Sequence, residues 1–269
     1  MSEVTIRFGV FIIVLLALAL VERARPRRRL TLAREHRWFT NLSIVALDGL
    51  LVRAMASLSV PLAAVAAAAY AQSAGIGLFN VLDWPAAIKF AIALIVLDFA
   101  IWLQHVLSHK IPVLWRLHRV HHADRDIDVT TALRFHPLEI GLSMLWKIGW
   151  VLALGPSPWA VIVFEVALNA FAMFSHANIA LPPSADRVLR TIIVTPDMHR
   201  VHHSVERAEH DSNYGFNLSI WDRLLGTYVA QPEKGHENMT IGLKPYQTDQ
   251  PGRLGWSLLL PFENRDGDG

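Results

Sequence analysis

Eight of the thirteen histidines in this 269-residue chain fall into three tight groups: His105/His109, His118/His121/His122 and His199/His202/His203. Neutral imidazole is the commonest nitrogen ligand for iron, copper and zinc, and repetition of such groups reads as one polynuclear metal site. The chain has no cysteine, which excludes thiolate ligands, iron–sulfur clusters, disulfides and cysteine nucleophiles. Any metal is therefore held by nitrogen and oxygen.

Spacing divides the work within each group. His105 and His109, four apart, share one face of a continuing helix and can converge on a metal. His118-Arg119-Val120-His121-His122 and His199-Arg200-Val201-His202-His203 repeat one His-x-x-His-His device. Adjacent histidines on a helix point about 100° apart, so His121 and His122 are expected to serve two metals rather than one. His136 and His176 stand where an apolar hairpin begins and ends, at the depth of the clusters, and both join the ligand candidates, with packing or a supporting contact as the competing role. His36, His210 and His236 match no group and read as surface or interfacial residues. Arg119 and Arg200 read as solvated spacers or as a face for the acidic surface of an electron donor.

The elements that position these residues are membrane helices. With 53% hydrophobic and 18% charged residues and a mean hydropathy of +0.33, the composition is that of an integral membrane protein. The isoelectric point of 9.1 accompanies a net charge of only +2, and the basic residues flank apolar runs, so they act as topology signals and not as a nucleic-acid surface. Five stretches approach the roughly 20 residues needed to cross a ~30 Å hydrocarbon core: about 4–21, 42–70, 86–107, 138–154 and 158–179. The first reads as an uncleaved anchor, since its charge cluster follows the apolar run. The second carries Asp48, Arg53 and Pro61 and is expected to kink or to lie partly at the interface. Gly155-Pro156-Ser157-Pro158 joins the last two in a tight hairpin.

Counting crossings places every candidate ligand on one side. If the arginine-rich Glu22–Arg37 segment is cytoplasmic, the third helix returns to the cytoplasm at His105, and the hairpin leaves near His136 and comes back near His176. The loops assigned outside, Gln72–Pro85 and Gly155–Pro158, hold no Lys or Arg. The expected fold is thus all-α: a polytopic helix bundle of about 4–5 membrane segments with a cytosolic histidine-rich cap. Residues 1–85 form N-terminal anchor helices and a basic loop, 86–210 the core, and 211–269 a polar tail; from Leu181 onward the chain reads as coil.

Asp98 lies seven residues before His105, on the same side of the helix and about two turns deeper. Glu165, Asn169 and His176 form one stripe of the fifth segment. Acids inside a membrane are costly and tend to be functional. Asp98 or Glu165 either pairs with Lys147 as a structural ion pair, supports the ligands, or lines a substrate channel.

At these residues the chain resembles the fatty acid hydroxylase and sterol desaturase superfamily of membrane di-iron oxygenases. The matching pattern is His105-x-x-x-His109, His118-x-x-His121-His122, Arg134-Phe135-His136-Pro137-Leu138-Glu139, His176-x-Asn178 and His199-Arg200-x-His202-His203, over roughly residues 90–205. The resemblance implies two Fe in a di-iron centre at the cytosolic face of a bacterial inner membrane or its equivalent, with O2 attacking a C–H bond of a lipid substrate, whether fatty acyl, sterol or a related chain. Hydroxylation and desaturation are both within that chemistry. The chain has no recognisable haem domain, so an external electron-transfer protein is implied; zinc is a possible substitute metal in recombinant protein. Where some members carry a second histidine in the third region, this chain has Ala180, so that a ligand is missing, is replaced by water, or is supplied by His136 or Asn178. Asp98 and Asn178 are accordingly the candidate catalytic residues. A zinc-dependent membrane lipid hydrolase is the competing enzyme class, although no His-Glu-x-x-His motif is present. A non-catalytic metal-binding or transport protein is the competing non-enzyme class, against which the histidines gather at one surface instead of the midplane.

Overall fold

The computed structural model describes residues 3–57 and 63–263. Among these the chain is all-helical, with only isolated β-bridges at Pro26–Ile179, Ile193–Leu218 and Ser204–Ile241. The helices are α1 (Glu3–Ala24), α2 (Arg34–Ser57), α3 (Ala64–Ala74), α4 (Leu78–Val81), α5 (Ala86–Lys110), α6 (Pro112–His122), α7 (Pro137–Leu154), α8 (Pro158–His176), α9 (Pro183–Leu189) and α10 (Pro196–His202). Four shorter ones follow: α11 (Arg207–His210), α12 (Ile220–Leu224), α13 (Gly235–Asn238) and α14 (Leu254–Leu259).

Among the described residues six helical stretches are long and apolar enough to cross a membrane, where the sequence predicts about five, because the second apolar run is divided between α2 and the Ala64–Val81 stretch. Pro61, the expected kink, lies outside the described residues. Packing sets both parts of that run against one helix, α7. A Cβ on Gly141, in the first turns of α7, would lie 3.5 Å from Leu51 and 4.0 Å from Met55 near the end of α2. Gly77, just beyond α3, packs at the other end of α7, where its Cβ would fall 2.5 Å from the Gly155 nitrogen. The α2–α3 pair therefore runs the length of α7 once. Both glycines are required here: Gly155 closes α7 at φ 65° and Gly77 turns at φ 90°, conformations that favour glycine, and neither has room for a side chain.

Small residues set the helix spacing. Ala64, Ala67 and Ala68 of α3 are buried with Ala93, Leu97 and Ile101 of α5, Ile148 and Val151 of α7, and Val161 and Phe164 of α8, so backbones approach closely where lipid supplies no hydrophobic drive for association. The outer faces stay apolar and exposed, as lipid-facing surfaces must: Val4, Phe8, Ile13, Leu16 and Leu20 of α1 are examples. The hairpin is capped by chemistry visible in the sequence. Ser157 Oγ accepts the Ala160 N–H at 3.2 Å, and Pro137 and Pro158 occupy first-turn positions whose N–H needs no partner.

The segment from Leu181 onward, expected to be coil, is folded over the end of the bundle where α5 and α8 finish. The buried guanidinium of Arg134 ties it down, donating to Val120 O (2.9 Å), Asn41 Oδ1 (2.9 Å) and Ser257 Oγ (2.7 Å). Arg37 of α2 donates to both oxygens of Asp124 (2.8 and 2.7 Å) and to Asp128 (2.5 Å), locking α2 to the α6–α7 connection. The sequence suggests coil here because its helices are only four to seven residues long, too short to show periodicity.

Candidate metal centre

Four helices and one C-cap residue deliver the histidines to a single buried place. His105 and His109 come from the last turns of α5, His118, His121 and His122 from α6, His176 from the end of α8, and His199, His202 and His203 from α10 and its C-cap. They sort into two groups whose ligand atoms lie within 4.8 Å of one another: His105, His109, His118, His122 and His202 in one, His121, His176, His199 and His203 in the other. The structure thus separates His121 from His122 and His202 from His203, as the angular offset of adjacent helical residues requires. All nine rings are buried.

Hydrogen bonds fix which nitrogen of several rings is bare. A carbonyl or carboxylate oxygen only accepts, so Nδ1 carries the proton in His105 (to Tyr214 O, 2.7 Å), His118 (to Glu139 Oε1, 2.6 Å), His176 (to Ala172 O, 2.7 Å) and His202 (to Ser212 O, 2.6 Å). Burial pushes His118 down to about 3, so that ring is neutral at physiological pH and its Nε2 is a bare lone pair. Yet His105 Nε2 and His118 Nε2 stand 3.1 Å apart. His176 Nε2 faces both His121 Nε2 and His199 Nε2, each at 3.1 Å, and one lone pair can accept only one proton. Lone pairs pressed together in an apolar interior repel unless a cation lies between them. Both ring nitrogens of His109, His122 and His203, and Nε2 of His202, are buried without hydrogen-bond partners. Those nitrogens are orphans among the described residues and fit metal coordination. Burial, then the proximity of neighbouring histidines, also holds His121, His122, His199, His202 and His203 well below the ordinary imidazole value, which keeps the donors neutral.

Other sequence candidates lie elsewhere. His136 caps α7: its Nδ1 accepts the Leu138 N–H at 3.2 Å, and its Nε2 stands 3.2 Å from Leu258 O, so neither nitrogen reaches a histidine group. Asn178 clasps the basic loop, accepting the Arg28 N–H and donating to Arg28 O. Asp98 Oδ2 accepts the Trp221 indole N–H at 2.7 Å and so anchors α12 to α5. Glu165 is ion-paired with Lys147 (2.7 Å) and Arg7 (2.8 Å), the structural alternative weighed above. Arg119 and Arg200, expected in solvent, are buried: Arg119 donates to the carbonyls of Leu260 and Glu263, and Arg200 pairs with Asp197. His210 and His236 are buried as well. The His210 ring packs 4.6 Å from that of His122 and 4.8 Å from that of His109, and His236 Nε2 lies 3.6 Å from Asp197. Of the three unmatched histidines only His36 is exposed.

Spacing could not reveal the groups that orient the rings. Tyr214 O and Ser212 O are backbone atoms in an irregular segment. Tyr214 O belongs to the peptide unit flanked by Tyr214 N and Gly215 N, both held by Asp222, a fully buried carboxylate that accepts from Tyr214 N (2.9 Å), Gly215 N (2.9 Å), Trp102 Nε1 (3.0 Å) and Thr227 Oγ1 (2.7 Å). Beside the first histidine group opens a cavity of about 220 Å3 between α1, α2, α5, α7 and α8. Ile101, Ile140, Met144, Leu168 and Phe216 give it apolar walls, and His105 and His118 form its histidine end. Such a site can bind an apolar chain in register with a metal centre.

Comparison with known proteins agrees with this arrangement. The family described as fatty acid hydroxylase matches residues 90–227, which include every histidine of both groups. The chain is 31% identical to the ornithine lipid hydroxylase of Rhizobium tropici, over 83% of this chain and 67% of that one. It is 33% identical to human alkylglycerol monooxygenase, over 68% of this chain and 39% of the relative, and 26% identical to human cholesterol 25-hydroxylase, over 52% and 50%. The chain thus spans between about two fifths and two thirds of these relatives. No solved structure matches it. Both the ordered histidine pattern and the match over half its length show that this chain belongs to the fatty acid hydroxylase family.

Proposed function

We propose that the protein is a membrane-bound oxygenase that hydroxylates or desaturates a lipid, with two iron ions held by His105, His109, His118, His122 and His202 on one side and His121, His176, His199 and His203 on the other. The observation that carries this reading is the pair of histidine groups with bare nitrogens facing one another at the end of an apolar cavity. Bound iron supplies redox chemistry with dioxygen, using electrons from an external electron-transfer protein. The hydroxylase and monooxygenase names of the relatives support oxygenation over hydrolysis or transport. Imidazole-only sites also take zinc, the substitute expected in recombinant material.

The chain's own groups do the positioning. Tyr214 O, Ala172 O and Ser212 O accept Nδ1 protons and so aim Nε2 of His105, His176 and His202 inward, and the Glu139 carboxylate does the same for His118 while making the imidazole a stronger donor. The cavity walls exclude water and align an alkyl chain so that one C–H bond lies against the His105–His118 end. Because Glu22–Arg37 is arginine-rich and lies at the histidine end, the centre faces the cytoplasm by the positive-inside rule, within reach of a soluble donor.

Metal analysis combined with oxygen uptake tests the reading. An active preparation should hold two iron per chain, consume O2 in the presence of lipid and reductant, and yield a product heavier by one oxygen or lighter by two hydrogens. An active preparation containing zinc alone that consumes no oxygen would overturn it.

A further inference from the structure

Asp48 sits at the middle of α2, on the same stripe as Asn41 and Ile44, and lines the cavity that ends at His105 and His118. It is only 6% exposed, its Oδ1 is fully buried, and it has no hydrogen-bond or ion-pair partner among the described residues. Four of the polar side chains in the cavity wall bond to groups other than Asp48. Gln104 accepts from Ser143, Lys147 pairs with Glu165, Asn169 donates to Glu165 O, and Glu139 accepts from His118. A buried carboxyl left without a partner is costly, so the cavity has a reason to keep one only if something else completes it.

We propose that Asp48 recognises a hydrogen-bond-donating group of the lipid, a hydroxyl or an ammonium, and thereby fixes which carbon faces the histidines. The inference rests on the oxygenase reading for the identity of the reacting end, but not for the binding itself. Its consequence is regiochemical. Because Asp48 and the His105–His118 edge share one small cavity, the oxidised carbon lies close in the chain to the donor group, and a hydrocarbon with no donor has nothing to hold it in register.

Binding without turnover separates this proposal from the oxygenase reading. The full chain in detergent, kept anaerobic and without reductant, is titrated with 1-O-hexadecylglycerol (hydroxyls), hexadecylamine (ammonium) and hexadecane (neither). The expected result is that wild type binds one of the two donor lipids at least tenfold more tightly than hexadecane, and that Asp48→Leu or Asp48→Ala erases that preference; a charge-assisted hydrogen bond corresponds to roughly 10- to 100-fold. Two substitutions of different size are used so that a folded variant, judged by unchanged metal content and melting temperature, carries the test. Asp48→Asn distinguishes the donors: it retains glycerol-ether binding within a few fold if the group is a hydroxyl, and loses amine binding if it is an ammonium. A wild type that binds all three lipids alike, or a folded Leu or Ala variant that keeps the preference, overturns the proposal whether or not the enzyme oxidises lipid.

Discussion

Asp222→Asn probes the reasoning about ring orientation most directly. The carboxylate accepts four hydrogen bonds, three on Oδ1 and one, from Gly215 N, on Oδ2. Asparagine keeps one oxygen. If that oxygen serves Trp102, Tyr214 and Thr227, the amide NH2 points at the Gly215 N–H, two donors face each other at about the present 2.9 Å separation, and a buried N–H is orphaned. Losing a hydrogen bond to a charged acceptor and stranding its donor costs about 2–4 kcal/mol. Part of that is returned, because burial already pushes the Asp222 carboxyl up and the neutral amide escapes this desolvation. A net loss of about 2 kcal/mol remains, equivalent to a melting temperature lower by about 4–8 °C for a chain of this size. The second consequence is local: Gly215 N, which shares a peptide unit with Tyr214 O, loses its acceptor, and Tyr214 O no longer holds the Nδ1 proton of His105 in place, a change worth roughly 10- to 100-fold in metal affinity. Thermal unfolding of the detergent-purified variant, paired with metal retention during chelator dialysis, measures both. A variant that melts within about 1 °C of wild type and retains its metal equally well would falsify the argument that Asp222 positions the centre.

Replacing His121 or His203 with Ala should empty the second histidine group, with metal content reduced, oxidation abolished and membrane insertion intact; full turnover by either variant counts against the ligand assignment. Lys147→Met leaves Glu165 with Arg7 alone and should lower stability by about 1–3 kcal/mol, below the usual cost of breaking a buried pair because one partner survives, while metal content stays unchanged. Stability of the metal-free protein should fall on acidification. Unfolded histidines protonate near pH 6.5, whereas burial holds His118 to about 3 and His210 to about 4, so between those values the unfolded chain binds more protons and each such ring contributes up to about 1.4 kcal/mol of loss per pH unit. Urea titrations at pH 7, 6 and 5 read this slope, and a stability that rises or stays flat as pH falls contradicts it.

The sequence alone determined the membrane class, the helical hairpin and the concentration of ligands at one end, because each depends on local composition or short periodicity. Apolar length marked the spans, Gly155-Pro156-Ser157-Pro158 the turn, and adjacency on a helix the divergence of His121 from His122, while the matching separation of His202 from His203 came from the folded chain. Tertiary structure decided everything that depends on partners distant in the chain. It sent Asp98 to Trp221, Glu165 to Lys147 and Arg7, and His136 to Leu258 O, 122 residues away, while drawing the unmatched His210 against His109 and His122. It also buried Arg119 and Arg200, whose charges suggested solvent. The physical reason is that a buried polar group is satisfied by whichever complementary atom packing brings within about 3 Å, and that atom is often a backbone carbonyl that side-chain patterns do not show. Histidine spacing could nominate the ligands, but only the folded chain could show that carbonyls of Tyr214, Ser212 and Ala172 turn their bare nitrogens toward one another.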